Sequence, residues 1–194
     1  MKPTSSSLSR SPETKTKLAE KPPVSPLLDD DAVRTKYNIS PQAKLIYTDG
    51  SSLNQDPNSI SAGAGVFFAK DDPRNISTRV PEVDQSRGCA ELFAVFKGLE
   101  TVYLNRSELE EREIIVLSDY QSGVDELSKR LRGDESKRCR RYKELFEDIL
   151  AWVEGLGVRE QVEVTFKYVP GHRGILGNMA ADRPAREGAK KITE

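Results

Sequence analysis

The chain has 194 residues, and its 30 Lys and Arg nearly balance its 31 Asp and Glu, which leaves a net charge of −1. This balance predicts no bulk attraction to nucleic acid. One His and two Cys exclude a two-His zinc motif, a Cys-based zinc site and a disulfide framework, so any metal chemistry must rest on carboxylates, which select hard ions such as Mg²⁺. The longest apolar runs are the length of a strand, far short of the roughly 18 residues of a membrane helix, so we expect a soluble chain with no membrane partner.

The first residues differ in composition from the rest of the chain. Residues 1–41 hold six of the eleven prolines and no aromatic residue except Tyr37. Such a segment buries too little apolar surface to offset the entropy lost on ordering, so we expect residues 1–42 to form a disordered arm. Glu13 and Glu20 interrupt its basic residues, which disfavours a mitochondrial presequence. We therefore expect an intracellular protein of the nucleus or cytoplasm, with the mitochondrion as the alternative.

From residue 43 onward, the hydrophobic pattern predicts strands and helices in a defined order. Three strands come first, and helices then alternate with strands. The predicted strands cover 44–48, 62–70, 76–80, 113–118 and 162–169, and the predicted helices cover 90–104, 120–131, 142–155 and 178–190. This order indicates an α/β domain over residues 43–191, with a mixed five-stranded sheet flanked by helices.

Four carboxylates and one imidazole stand where chemistry could occur. Asp49 and Asp119 follow predicted strands, and ligands bind at strand ends in α/β sheets. Glu91 begins a helix among apolar neighbours, where a carboxylate is costly unless it is paired or bound to metal. Asp182 lies in the last helix, and His172 lies on a glycine-rich loop, where an imidazole can move protons. Each residue alone also has a plain explanation as a turn residue, a helix-dipole contact, a helix surface or an ordinary loop residue.

Taken together, these residues form a more specific pattern. The segments are Thr48-Asp49-Gly50-Ser51, Ala90-Glu91-Leu92, Ser118-Asp119-Tyr120-Gln121 and the stretch from Gly171-His172-Arg173-Gly174 to Asp182. In residue type, spacing and structural context they resemble the ribonuclease H family of type I, over residues 43–190. The resemblance implies a ribonuclease H-like fold. It also implies an endonuclease that hydrolyses the RNA strand of RNA–DNA hybrids with two Mg²⁺ ions, or Mn²⁺, and leaves 5′-phosphate and 3′-hydroxyl ends.

The resemblance also implies a role for each site residue. It assigns metal binding to Asp49, Glu91, Asp119 and Asp182, and proton movement or product release to His172. It implies contacts with nucleic acid for Gly50, Ser51, Gln121 and Asn178. The basic stretch Lys129–Lys143 lies between two predicted helices, and we expect it to bind the hybrid through Lys137, Arg138, Arg140 and Arg141, the alternative being a solvated helix face. We expect a monomer.

Three places depart from the family pattern. Residues 86–89 (Ser-Arg-Gly-Cys) stand where Asn or Gln followed by Arg is usual, and Met179 stands where Glu is common. Pro184 replaces an apolar helix former, and proline inside a helix costs about 3 kcal/mol, so we expect the last helix to start near Asp182 or to have a distorted first turn. Two alternatives follow: a catalytically weakened or inactive hybrid-binding module on the same fold, and a related nuclease or transposase-like enzyme that acts on DNA.

Overall fold

The computed structural model describes residues 26–56, 59–81, 84–134 and 139–191. Its strands are β1 (Lys44–Asp56), β2 (Ser59–Phe67), β3 (Ile76–Arg79), β4 (Glu113–Ser118) and β5 (Glu163–Tyr168). Its helices are α1 (Asp30–Tyr37), α2 (Arg87–Leu104), α3 (Gln121–Leu131), α4 (Lys143–Glu160) and α5 (Leu176–Ala189), with a 3₁₀ turn at Arg106–Glu108. The predicted α/β class and five-stranded mixed sheet are confirmed. Across the described ranges, no helix is long and apolar enough to cross a membrane.

The strand order places the carboxyl ends of three parallel strands at one edge of the sheet. The order is β3-β2-β1-β4-β5, with β1, β4 and β5 parallel and with β2 antiparallel to both of its neighbours. Thr48 of β1 is paired with Ser118 of β4, so the next residue on each strand, Asp49 and Asp119, lies at the same edge. We call this the catalytic edge, after the role predicted for these two residues.

Helices cover both faces of the sheet, which explains the continuous apolar run of β4. Ile114 and Val116 pack on one face with apolar residues of α2, α3 and α4. Ile115 and Leu117 pack on the other face, with residues of α1 and α5. A strand buried on both faces carries no alternating polar positions.

The prediction that the first strand ends at residue 48, before Asp49, is wrong. β1 continues to Asp56 and pairs with β2, with Gly50 opposite Ala64. A Cβ atom at position 50 would clash with the backbone of Glu91. This glycine therefore permits α2 to lie directly on β1, and that contact brings Glu91 beside Asp49.

The prediction of a disordered arm is wrong for residues 26–42, and residues 1–25 lie outside the described residues. Asp29 caps α1 by accepting a hydrogen bond from the backbone nitrogen of Ala32 at 3.0 Å. Val33 is fully buried, and the hydroxyl of Tyr47 on β1 donates to Asp30 Oδ1 at 2.8 Å. A short cap and a few well-placed apolar contacts order this segment despite its polar composition. The folded domain therefore begins before residue 43.

The expectation that the last helix starts near Asp182 is also wrong, because α5 begins at Leu176 and contains Pro184. Buried alanines of α5 face β2 and lie so close to Gly63 and Gly65 that a Cβ atom at either glycine would clash with the helix backbone. The carbonyl oxygen of Pro184 accepts a hydrogen bond from Ser77 Oγ at 2.8 Å. Close packing against the sheet thus holds the helix across its proline.

Pro184→Ala is expected to raise the free energy of unfolding by about 1–3 kcal/mol. Proline cannot donate a hydrogen bond to the carbonyl of Ala180, and its ring crowds that carbonyl. Thermal melting measures the change. The control Arg183→Ala alters a neighbouring side chain that is 84% exposed, and we expect it to shift stability by less than about 0.5 kcal/mol. An unchanged melting temperature for Pro184→Ala would show that α5 accommodates the proline without cost.

Candidate active site

Three carboxylates meet at the catalytic edge. Asp49 lies within β1, Asp119 directly follows β4, and Glu91 lies near the start of α2. One carboxylate oxygen of each residue lies within 4.8 Å of the others. Asp49 and Glu91 are 3% and 1% exposed, and the side chain of Asp119 is 8% exposed. We call these three residues the acidic centre.

Local contacts fix the side chain of Glu91. The backbone nitrogen of Gly50 donates to Glu91 Oε2 at 2.8 Å. On the other side, Arg87 Nε donates to Glu91 Oε1 at 3.1 Å, and the guanidinium lies 3.9 Å from Asp119 Oδ2. Ser86 caps this end of α2 by accepting a hydrogen bond from the backbone nitrogen of Cys89. The start of α2 therefore fixes Glu91 within the acidic centre and holds Arg87 beside it.

Burial and mutual repulsion disfavour negative charge at this centre. The pKa of Asp49 is raised to about 7, first by burial and then by the charges of Asp119 and Asp182. The pKa of Glu91 is raised well above its ordinary value by burial and by Asp49 and Asp119. Arg87 lowers both pKa values, but not enough to cancel these effects. The centre therefore favours additional positive charge.

The donor set fits a hard divalent cation. Within the described part of the chain, Asp49 Oδ1 and Asp119 Oδ1 are buried and accept no hydrogen bond. Buried oxygens of this kind are costly unless they gain a partner. Mg²⁺ and Mn²⁺ bind carboxylate oxygens and would offset the repulsion between the acids. The residues present therefore suit the predicted metal.

Asp182 lies outside the group of three carboxylates but adjoins it through Asp49. It lies on α5, its side chain is 28% exposed, and Arg186 Nε donates to its Oδ1 at 3.0 Å. Its charge and a hydrogen bond between the two carboxyl groups both contribute to the raised pKa of Asp49, so Asp182 faces the same site. Met179, one turn earlier, is 47% exposed. The structure thus brings three of the four predicted metal ligands together and places the fourth nearby in an ion pair.

The loop that carries His172 packs on the acidic centre. A Cβ atom at position 171 would clash with the carboxylate of Asp119, so the glycine lets the loop backbone reach that residue. His172 itself is exposed and has a φ of +53°. The segment before α1 holds this loop from the far side. The backbone nitrogen of Leu28 donates to the carbonyl of Gly174 at 2.8 Å, and the backbone nitrogen of Leu176 donates to the carbonyl of Leu28 at 2.9 Å.

The residues predicted to contact nucleic acid lie around the catalytic edge and differ in exposure. Gly50 and Ser51 follow Asp49 on β1. Asn178 is 4% exposed on α5, one turn before Asp182, and among the described residues its Oδ1 has no hydrogen-bond partner. Gln121 is exposed at the start of α3, close to Asp119 in the chain, and its amide donates to the side chain of Asp125 at 2.8 Å.

The residues of the basic stretch Lys129–Lys143 differ in exposure and in their contacts. Lys137 and Arg138 lie outside the described residues. Arg140 and Arg141 are exposed, and Arg141 lies 3.6 Å from Asp84, which precedes α2.

One arginine of the same stretch is structural. Arg130 Nε donates to Glu126 Oε1 at 2.8 Å, and both side chains are largely buried. The guanidinium of Arg130 also donates to the carbonyl of Cys139 at 3.0 Å, and the backbone nitrogen of Cys139 donates to Glu126 Oε1 at 2.9 Å. These hydrogen bonds anchor the backbone of Cys139, within the basic stretch, to α3.

Two contacts of the site were not predicted. Arg87 lies against two of the three acids, and its spacing of four residues from Glu91 on one helix face is a signal that could have indicated this ion pair. The hydroxyl of Tyr142 lies 3.0 Å from Ser86 Oγ. This long-range contact docks the end of the basic stretch beside α2, and no local sequence pattern indicates it.

Comparison with known proteins identifies relatives by sequence. The RNase H family model matches residues 41–190. The ribonuclease H of Schizosaccharomyces pombe is 30% identical over 151 residues, which cover 76% of this chain and 53% of that protein. Ribonuclease H1 of Homo sapiens is 28% identical over 151 residues, which cover 76% of this chain and 50% of that protein. The chain thus spans about half the length of the curated relatives it matches.

Solved structures share the fold. The foamy viral protease-reverse transcriptase in complex with RNA/DNA hybrid matches with a TM-score of 0.61 at 17% identity, covering 93% of this chain and 22% of that chain. LC11-RNase H1 in complex with RNA/DNA hybrid matches with a TM-score of 0.52 at 22% identity, covering 75% of this chain and 95% of that chain. Since the family model covers most of the sequence, and the sheet and its acidic edge agree with the predicted resemblance, the chain belongs to the RNase H family.

Proposed function

We propose that this chain is an endonuclease that hydrolyses the RNA strand of RNA–DNA hybrids with two Mg²⁺ ions. The observation that carries the proposal is the acidic centre, a set of three nearly buried carboxylates with raised pKa values and unpartnered oxygens. Membership of the RNase H family supports the reaction, and the solved complexes of the foamy viral enzyme and LC11-RNase H1 with RNA/DNA hybrid support the substrate.

Asp49, Glu91 and Asp119 would hold one metal ion. Asp182 would help to bind a second ion once its ion pair with Arg186 is broken. When bound, divalent ions stabilise negative charge on the phosphate and help to activate water. Arg87 has two roles in this scheme. It compensates the charge of the carboxylates before metal binds, and its largely exposed guanidinium remains available to a phosphate of the substrate.

The reaction we propose is the addition of water to phosphorus with loss of the 3′ oxygen. The water oxygen forms a bond to phosphorus and gives up one proton, the bond between phosphorus and the 3′ oxygen breaks, and a proton is delivered to the departing oxygen. His172 is suited to move protons at this site, since its loop packs against Asp119 and leaves the imidazole exposed. The products are a 5′-phosphate and a 3′-hydroxyl.

The basic stretch is proposed to grip the hybrid beside the acidic centre, through Lys137, Arg138, Arg140 and Arg141. Arg140→Ala combined with Arg141→Ala should weaken hybrid binding. It should also reduce the slope of log affinity against log salt by up to about 2, because each phosphate contact contributes roughly 0.9. Anisotropy titrations at several salt concentrations measure both values. The control pair Lys70→Ala with Arg159→Ala removes two exposed cations from the opposite edge. An equal loss in the control pair would refute a dedicated grip.

The alternative is a hybrid-binding module of reduced activity on the same fold. The ion pair between Asp182 and Arg186 favours it, because a carboxylate engaged by arginine is less available to a second metal ion.

Separate labels on the two strands of a hybrid distinguish enzyme from binding module. In Mg²⁺ we expect cleavage of the labelled RNA strand, an intact DNA strand, and no cleavage in EDTA. Single-stranded RNA and double-stranded DNA of the same sequence serve as controls. Tight binding of the hybrid without cleavage in either Mg²⁺ or Mn²⁺ would favour the binding module. Cleavage of double-stranded DNA would favour a DNA nuclease.

A further inference from the structure

A groove leaves the catalytic edge between α1, α3 and β5. It encloses about 410 Å³, and its floor is formed by the buried side chains of Val124 and Phe166. Its upper end lies beside the acidic centre, because Gln121 begins α3 just after Asp119 and Tyr168 ends β5 at the same edge. From there the groove follows the outer face of α3 away from the acids.

The walls of this groove are mainly basic. Lys129 is exposed on α3, and Arg132 is exposed directly after its last residue. Lys167 reaches in from β5, where its ammonium donates to the carbonyl oxygen of Tyr37 at 3.4 Å. Among the described residues that line the groove, the one acid is Asp125. Its carboxylate accepts a hydrogen bond from the side-chain amide of Gln121, the first residue of α3. Three cations against one engaged carboxylate complement a phosphodiester chain.

Two aromatic side chains flank the same groove. Tyr37 comes from α1 and Tyr168 from β5, and both side chains line the groove. Tyr168 is 37% exposed. Aromatic rings beside a cationic groove are the arrangement that binds unpaired bases, because every base can stack on them.

The dimensions of the groove suit one strand. Its volume is near the lower end of the roughly 300–1,000 Å³ typical of small-molecule pockets, which is too small for a duplex. The eleven residues of α3 extend for about 16 Å. The hydroxyl of Ser128 and the carboxylate of Asp125 line the wall and can accept hydrogen bonds from ribose 2′-hydroxyls, which deoxyribose lacks.

We propose that this groove binds a single-stranded RNA extension that leaves the hybrid at the catalytic edge. Tyr37 and Tyr168 would stack on its bases, and Lys129, Arg132 and Lys167 would contact its phosphates. The inference rests on the proposed function, because it assumes a hybrid at the acidic centre. It adds that hybrids with an RNA extension are preferred to blunt ones.

Fluorescence anisotropy tests this preference on Asp49→Asn protein in Mg²⁺, where the ligand should stay intact. The ligands are a blunt hybrid, the same hybrid with a single-stranded RNA extension of about six nucleotides at either end, and the matched DNA extensions. We expect the RNA extension at one end to lower Kd by at least about fivefold relative to the blunt hybrid, a gain at the lower end of what stacking one base contributes. We expect the matched DNA extension to give a smaller gain.

Groove variants should remove this gain. Lys129→Ala with Arg132→Ala, and separately Tyr168→Leu, are expected to bring the ratio of blunt to extended Kd close to one. The ratio cancels any loss shared by both ligands. The control pair Lys70→Ala with Arg159→Ala should retain the wild-type ratio, since Lys70 follows β2 and Arg159 lies in the last turn of α4, both at the opposite edge of the sheet.

Three results would overturn the proposal: a ratio of one before any groove substitution, an unchanged ratio in the groove variants, or an equal gain from a DNA extension. Failure of the proposed function is distinguishable, because wild-type cleavage of the blunt hybrid is measured separately. If the blunt hybrid does not bind, a free single-stranded RNA oligonucleotide is the probe. The groove variants should then weaken its binding by about fivefold, and unchanged binding would refute the groove.

Discussion

Asp49→Asn is expected to abolish hybrid cleavage while raising the melting temperature of the metal-free protein. The substitution keeps the size of the side chain and removes a negative charge that the proposed metal ions would require. We expect the cleavage rate to fall by at least about 10²–10³-fold, the scale of losing one essential electrostatic contact in an active site. Single-turnover cleavage of a labelled hybrid in Mg²⁺ measures it.

Asp49→Asn should lower activity but raise stability, because burial and the neighbouring acids make the charged form of Asp49 unfavourable in the folded protein. At pH 8 and without metal, we expect Asp49→Asn to gain on the order of 1–3 kcal/mol from the loss of repulsion at the acidic centre. Asp148→Asn on α4, at an exposed position, is the matched control and should leave both quantities unchanged. Retention of more than about a tenth of the wild-type rate by Asp49→Asn would exclude this carboxylate as a metal ligand essential for cleavage.

A second large effect is expected in the pH dependence of stability without metal. The pKa of Asp49 is about 7 in the folded protein against an ordinary value of 3.8, and the pKa of Glu91 is shifted in the same direction. Between these values the folded state binds more protons than the unfolded state, so stability falls as pH rises. In EDTA, the melting temperature should therefore decrease from about pH 5 to pH 8.

Metal should reverse this loss. At pH 8, Mg²⁺ is expected to raise the melting temperature, because the proposed site for it exists in the folded acidic centre and not in the unfolded chain. The carboxyls of Asp72 and Asp84 have lowered pKa values, so their contributions are lost only at more acidic pH and do not obscure this window. Asp49→Asn should show a shallower pH slope and a smaller response to Mg²⁺. A wild-type melting temperature that rises from pH 5 to pH 8 in EDTA would contradict the repulsion at the centre.

Local patterns in the sequence were sufficient to predict most of the sheet and its helices. The run Ile114–Leu117 reads as a buried strand because both faces of β4 are covered, and the helical spacing of apolar residues in α2 places Glu91 on the buried side. The type of each strand and helix follows from such periodicity. Element ends follow less well, since β1 continues past Asp49 only because β2 pairs with it.

α1 was not predicted, because the polar average composition of its segment gives no sign of the few tertiary contacts that stabilise it. Its segment is rich in proline and polar residues, yet Val33 enters the core and Asp30 meets Tyr47 across the fold. The partners of that contact lie 17 residues apart in sequence. No periodic pattern over eight helical residues reveals a contact that depends on the tertiary fold.

The acidic centre was accessible from sequence, but its charge compensation was not. Asp49, Glu91 and Asp119 were identified by resemblance to the family, and the structure places them together. The ion pairs of Arg87 with Glu91 and of Arg186 with Asp182 follow four-residue spacing on a helix. That spacing is common on solvent-exposed helices, so by itself it does not distinguish an active-site contact from a surface pair.

The most direct measurement of the central claim is the chemistry of the RNA ends that wild-type protein produces from a hybrid in Mg²⁺. Fragments with a 5′-phosphate and a 3′-hydroxyl, from the RNA strand alone and absent with Asp49→Asn, are the expected result. Fragments with a 5′-hydroxyl and a cyclic or 3′-phosphate would contradict the account, because such ends arise from attack by the ribose hydroxyl without water at the acidic centre. An intact RNA strand on a bound hybrid would contradict it as well.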